Sequence, residues 1–339
     1  MKPTLNTKNS VNILSVLKVA FTIVGTLIGA GFASGKEITT FFGCFGTFGY
    51  IAILIFCITF AIGIIYFSSI DKDSIPTPLL VAFNIAVFVS EVISITAMIA
   101  GLSSILSMLF ISDIPFYLSL VLIFMIIICG INGLTTTNLI LIPVLFISII
   151  VFGIRGASSV NSFEMAIVNS SSIYKIMSLP LYIGFNLFSI FPIALEFGKK
   201  QNKKERTTSA ILASTILLIL MLCFCVTILN IDSTSITSEL PLVMYIIKTS
   251  PSLIVMVIIT LAIAITTTII SDGFVLRGLM MKRGENFANV AFGFLFIGAF
   301  CLSHFGFSAI VETLYPISGF IGLILIILVA IFNFKQKAK

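Results

Sequence analysis

Tryptophan is absent from this 339-residue sequence, and histidine occurs once, at His304. A histidine-based catalytic centre or metal cluster has almost nothing to be built from. No nucleophile–base–acid set is visible either, so an enzyme is not expected. Charge is also scarce. Only 9% of residues are Asp, Glu, Lys or Arg, where a soluble domain carries about 25%. The six cysteines all fall inside apolar runs without metal-ligand partners nearby. They read as small packing residues, not as a metal framework. A pI of about 9.0 invites a nucleic-acid partner, but the basic residues lie between apolar runs, where the positive-inside rule puts them. No nucleic-acid partner is expected.

What the sequence has is apolar length: 59% of residues are hydrophobic and mean hydropathy is +1.22. Runs of about 18 or more apolar residues are transmembrane helix candidates. They are continuous, not alternating, which argues against a β-barrel. Ten spans account for the chain: 13–34, 38–68, 79–110, 115–132, 137–154, 176–198, 207–230, 252–275, 287–304 and 308–333. The stretch 1–12 is short, polar and basic, and the segment after it is too long and glycine-rich for a cleaved signal peptide. With the N-terminus inside, fifteen of the nineteen Lys and Arg fall on the inner side, and only Lys36, Arg155, Lys175 and Lys248 on the outer. The expectation is a multi-pass protein of the cell membrane, all α, with both ends cytoplasmic. Residues 1–12 form a cytoplasmic N-terminus, 13–156 a first five-helix repeat, 157–175 an outer loop, 176–333 a second five-helix repeat and 334–339 a cytoplasmic tail. A short helix is predicted at Leu240–Lys248.

The stretch Gly25-Thr-Leu-Ile-Gly-Ala-Gly-Phe-Ala-Ser-Gly35 lies inside the first span. Its four glycines weaken a helix. In a bilayer, a broken helix survives only where it lines a protein-enclosed cavity, and transporters place ions and substrates there. The same spacing also suits a small-residue packing face, because Gly25 and Gly29 are four apart, as are Gly31 and Gly35. Span six, with Pro180, Gly184, Asn186 and Pro192, is the second span expected to be discontinuous. Interrupted spans one and six, in halves of five, predict two inverted repeats. In span eight, Ala264, Thr267 and Thr268 offer hard oxygen ligands, or ordinary helix-packing hydroxyls. Glu91, in the middle of span three, reads as a cation or proton site or a partner for a substrate amine. Glu312 reads equally as solvated. Asp272, Glu196 and Arg277 read as interfacial, His304 as an interface residue and Asn84 as helix-to-helix glue.

The run Val24–Ile38, with Phe41-Phe42 and Gly43–Gly49, resembles the start of the YkvI-type bacterial membrane proteins. Tyr182–Asn186, Glu239-Leu-Pro241 and Ala264–Thr268 resemble that family's pattern as well. The family is similar to the amino acid–polyamine–organocation superfamily, which implies a LeuT-like fold of five plus five inverted repeats. By that resemblance, a sodium ion would be held by the carbonyls of Gly25, Ile28 and Ala264 and the hydroxyls of Thr267 and Thr268. Span five lacks the lysine that some proton-coupled relatives place there, which favours sodium. The substrate would lie against Thr26, Leu27, Gly29, Ala30 and Gly31, the span-six residues Gly184, Phe185 and Asn186, and Glu91. The functional expectation is a secondary transporter of a small organic solute, an amino acid or related amine, with Na+ as coupling ion and no other cofactor. A proton-coupled transporter using Glu91 and a non-transporting, germinant-receptor-like ligand sensor of the same fold are the alternatives.

Overall fold

The computed structural model describes residues 11–71, 75–157, 172–228, 240–305 and 307–337. Glu239 and the side chain of Glu312 lie outside the described residues. Among the described residues the chain is helical.

Helix α1 (Ile13–Leu27) starts at Asn12, whose side chain accepts from the Ser15 amide at 3.3 Å. It stops where Ile28 leaves helical geometry (φ −86°, ψ 80°) and the Gly29 amide turns back to the Leu27 carbonyl at 3.0 Å. A single turn, α2 (Ala30–Ala33), follows. Gly35 then takes a left-handed φ of 80°, and α3 (Lys36–Phe42) begins. A 3-10 stretch with a second left-handed glycine, Gly46, leads to α4 (Gly49–Ser68). Residues 38–42, assigned from sequence to span two, thus continue the first span instead. Lys36, expected in an outer loop, is buried.

Helices α5 (Thr77–Leu106), α6 (Ile114–Ile128) and α7 (Gly130–Ala157) complete the first half. The turn between α6 and α7 falls at Gly130, with φ 64°, and not in the interval after residue 132 that the span limits imply, because Gly130 is the residue that takes the left-handed conformation. The second half holds α8 (Ser172–Gly198), α9 (Lys203–Ile228), the short α10 (Pro241–Thr249), α11 (Ile254–Met280), α12 (Glu285–Leu302) and α13 (Phe307–Lys337).

One expectation is overturned here. Span six is not discontinuous: α8 runs unbroken from Ser172 to Gly198 through Gly184, Phe185 and Asn186. Its glycine serves packing. A Cβ on Gly184 would strike the Gly319 carbonyl and Leu323 of α13, and one on Gly319 would strike the Leu181 carbonyl of α8. Small residues allow this backbone-to-backbone approach. Asn186 turns its Nδ2 onto the Tyr182 carbonyl one turn back, at 2.8 Å.

Among the described residues, eight helices are long and apolar enough to cross a membrane, and α1 and α6 are shorter apolar helices. Large aliphatic and aromatic side chains stay exposed along α4, α6, α12 and α13, as lipid-facing surfaces do. This is a multi-pass membrane protein. At its centre, α1 packs on α7, α8, α9 and α11, while α5 packs on α8, α11 and α13.

Candidate ion and solute site

The break in α1 releases main-chain groups inside the bundle. With the Gly29 amide turned to Leu27, the Gly25 carbonyl loses its helical donor. It accepts instead from the Thr268 hydroxyl of α11 at 3.3 Å. The preceding residue on α11, Thr267, donates its hydroxyl to the Ala264 carbonyl one turn earlier at 2.9 Å. Thr267, Thr268 and Ala264 are all buried. Gly25 and Thr268 therefore meet across α1 and α11, with Thr267 and Ala264 adjoining on α11 and Ile28 in the adjacent kink. The neighbouring Thr26 donates back to the Thr22 carbonyl at 2.8 Å and is buried beside Leu27.

A residue that the sequence did not single out joins this point. Asn138 of α7 is fully buried, and neither its Oδ1 nor its Nδ2 has a hydrogen-bond partner. Its side chain lies against Gly25, where an added Cβ would meet Oδ1 at 2.7 Å. Buried amides are nearly always satisfied, so this one is an open donor–acceptor pair beside the released carbonyl.

The other side of the break faces α5. The Ala30 amide points at the Met98 sulfur at 3.4 Å, and an added Cβ on Gly29 would meet Met98 Sδ at 3.3 Å and Thr268 Oγ1 at 3.4 Å. Down the same face of α5 sit Ser94 and Glu91. Glu91 is hydrogen-bonded to Asp272 of α11, and Asp272 also meets the Ser94 side chain. Asp272 was read as interfacial. It is instead buried (3% exposed) in the middle of the bundle, four residues beyond Thr268, and its Oδ2 has no partner. Tyr315 of α13 meets Ser94 and stacks on Phe185 of α8 with ring centroids 4.4 Å apart. Gly184 and Asn186 take no part here, being engaged in α8 packing and an α8 backbone bond.

A third acid, also missed from sequence, lies over the far side of the break. Glu37 of α3 is buried and folds back over Gly31, leaving no room for a Cβ there. Its carboxyl accepts from the Phe32 amide of α2 and from the Tyr182 hydroxyl at 3.1 Å. Tyr182 is packed among Phe41, Phe42 and Phe56. On the opposite side, Phe83, Phe188 and Phe191 form a plug, with Phe83 4.3 Å from Phe191 and 5.0 Å from Phe188. Beyond that plug a cavity of about 140 Å³ opens between Phe83, Asn84, Pro192, Glu196, Lys199 and Val275. Glu196 pairs with Lys200 at 3.2 Å, and Arg277 pairs with Glu285 at 2.9 Å and donates to Asn289 at 2.7 Å. His304 is exposed after α12.

Among solved structures the chain superposes on Mhp1, a nucleobase-cation-symport-1 family transporter captured in a closed conformation with bromovinylhydantoin bound. The TM-score is 0.59 at 13% identity, over 93% of this chain and 78% of that one. The fold is the LeuT fold of Mhp1. In sequence, the chain is 23% identical over 337 residues to the uncharacterized protein YyaD of Bacillus subtilis (strain 168), covering 95% of this chain and 98% of YyaD. A 41-residue stretch is 54% identical to the uncharacterized membrane protein YkvI of the same organism, spanning 12% of each. No protein-family model matches.

Proposed function

We propose that this chain is a secondary transporter that moves a small organic solute, an amino acid or related amine, by alternating access, with sodium as coupling ion. The observation that carries the reading is the released Gly25 carbonyl facing Thr268, with Thr267 the preceding residue and Ala264 one turn away. Neutral carbonyl and hydroxyl oxygens, held in place without a charge to neutralise, suit a hard monovalent cation. The solute would occupy the space between the break and α5, against Thr26, Leu27, Gly29, Ala30, Gly31 and Glu91, with Phe185 alongside.

The packing supports ten spans in two inverted halves. Five of the contacts map onto others when a helix of one half is exchanged for its counterpart in the other, while α7–α9 and α6–α7 have no such mate among the described residues. Thus α1–α7 matches α8–α13, α4–α8 matches α1–α9, α5–α13 matches α7–α11, α6–α11 matches α5–α12, and α1–α11 matches α5–α8. Placement in the amino acid–polyamine–organocation superfamily, and cytoplasmic ends set by the excess of inner basic residues, belong to the same proposal.

Uptake into proteoliposomes tests it. Wild-type uptake should require an inward sodium gradient, and Thr267→Ala with Thr268→Ala should remove that requirement or abolish uptake. Unchanged sodium-coupled uptake in the double variant sinks the ion assignment. Uptake driven by a proton gradient alone moves coupling to Glu91, and binding without flux moves the protein to the sensor class.

A further inference from the structure

An amino acid substrate needs two subsites of opposite sign, one for its ammonium and one for its carboxylate. The structure offers the first and has filled the second with its own side chain. The amides freed at the break are the natural carboxylate holders, yet the Phe32 amide already donates to Glu37, and the Ala30 amide already faces Met98 Sδ at 3.4 Å. Glu37 is locked there by Tyr182 at 3.1 Å, and Gly31 has no side chain to displace it. The unbroken α8 presents no second set of free amides. A substrate carboxylate entering here would find its place already taken by the Glu37 carboxyl.

The cationic subsite lies across from it. Glu91 and Asp272 hold each other inside the membrane-spanning bundle, and two carboxyls at hydrogen-bond range cannot both be charged without a compensating cation. The acids alone would be only a cluster. The pointer to a ligand is Asp272 Oδ2, which is buried and has no donor. An N–H-bearing cation supplies both the missing donor and the missing charge. Lys200 and Arg277 are engaged elsewhere, at 3.2 Å to Glu196 and 2.9 Å to Glu285. The stacked Tyr315–Phe185 pair adds aromatic surface next to the acids, which suits the body of an organic cation.

We infer that the solute is a primary amine without a carboxylate, its ammonium held between Glu91 and Asp272, and that the Glu37 carboxyl, seated over Gly31, occupies the place an amino acid's carboxylate would take. This rests on the transport reading for its setting and narrows the solute named there.

The test compares matched pairs that differ by one carboxylate: isobutylamine with valine, phenethylamine with phenylalanine, and cadaverine with lysine. The purified full-length protein is melted in sodium with each, since a ligand of the native state raises the melting temperature. At least one amine should raise it, with an apparent affinity at least about tenfold above that of its amino acid. Asp272→Asn should remove the amine shift, and Glu37→Ala, which empties the Phe32 amide, should let the matching amino acid produce one. Amino acids that stabilise the wild type as well as their amines do, or no shift with any amine, overturn the inference. So does an amine shift that survives Asp272→Asn. If that variant fails to fold, the wild-type pairs decide alone. A sodium-dependent shift lost in Thr268→Ala, with no amine response, leaves the transport reading standing and removes only the solute class. Amine binding without uptake does the reverse.

Discussion

At the scale of single residues, the site turns on atoms that are missing or unpaired. Gly31 has no Cβ because the Glu37 carboxyl occupies that space. Gly31→Ala should therefore destabilise the protein by about 1–3 kcal/mol, the usual cost of overpacking. In a Glu37→Ala background most of that cost should vanish, giving a coupling energy of about 1 kcal/mol or more in a double-mutant cycle read from thermal melts. Asn138 is the converse case, with two polar atoms buried and unanswered. Removing such groups in favour of an apolar side chain of similar size is neutral or stabilising, because each unmet group costs about 1–3 kcal/mol. Asn138→Leu should raise the melting temperature in sodium-free buffer and shrink the increment that sodium adds. An unchanged sodium increment would detach Asn138 from the ion point.

At the scale of elements, one helix is broken and its counterpart is not. The sequence signals for the two were alike in kind: helix-weakening residues inside an apolar run, glycines in span one and glycine with two prolines in span six. In α1 they mark a real interruption, with Ile28 outside helical geometry. In α8 the glycine is consumed by contact with α13, and a lone sequence does not show which neighbour a glycine faces. Gly184→Val should thus act as a wedge between two backbones and cost about 3 kcal/mol, the upper end for overpacking, measurable as a loss of melting temperature without loss of sodium response. The same limit hid Asp272. Ending span eight at residue 275 leaves it near the membrane surface, but α11 continues to Met280, setting Asp272 about 8 Å farther inside at 1.5 Å per residue. The Ala264–Thr268 spacing, by contrast, was legible, because both hydroxyls and the carbonyl lie on one short piece of helix. Glu37 was not, since its role depends on the left-handed turn at Gly35.

At the scale of the whole molecule, the bias of basic residues fixes an expected orientation. Lys203→Cys, exposed at the start of α9, should be labelled by a membrane-impermeant thiol reagent only in inside-out vesicles, and Ser252→Cys, exposed before α11, only in right-side-out ones. Labelling of both from one side would break the span count as well as the orientation. The packing has one more consequence. Much of what holds each half is supplied by the other: α4 lies on α8 and α9, α5 on α8, α11 and α13, and α7 on α9 and α11. During synthesis, a chain that has emerged only as far as α7 therefore holds Glu91 in the bilayer with Asp272 not yet made, and Glu37 with Tyr182 not yet made. An acid left in that position costs about 2.5–3.5 kcal/mol on insertion scales. The first half must then wait in the membrane as an unfinished bundle, and the nascent protein is most exposed to quality-control proteases in the interval before α8 and α11 arrive.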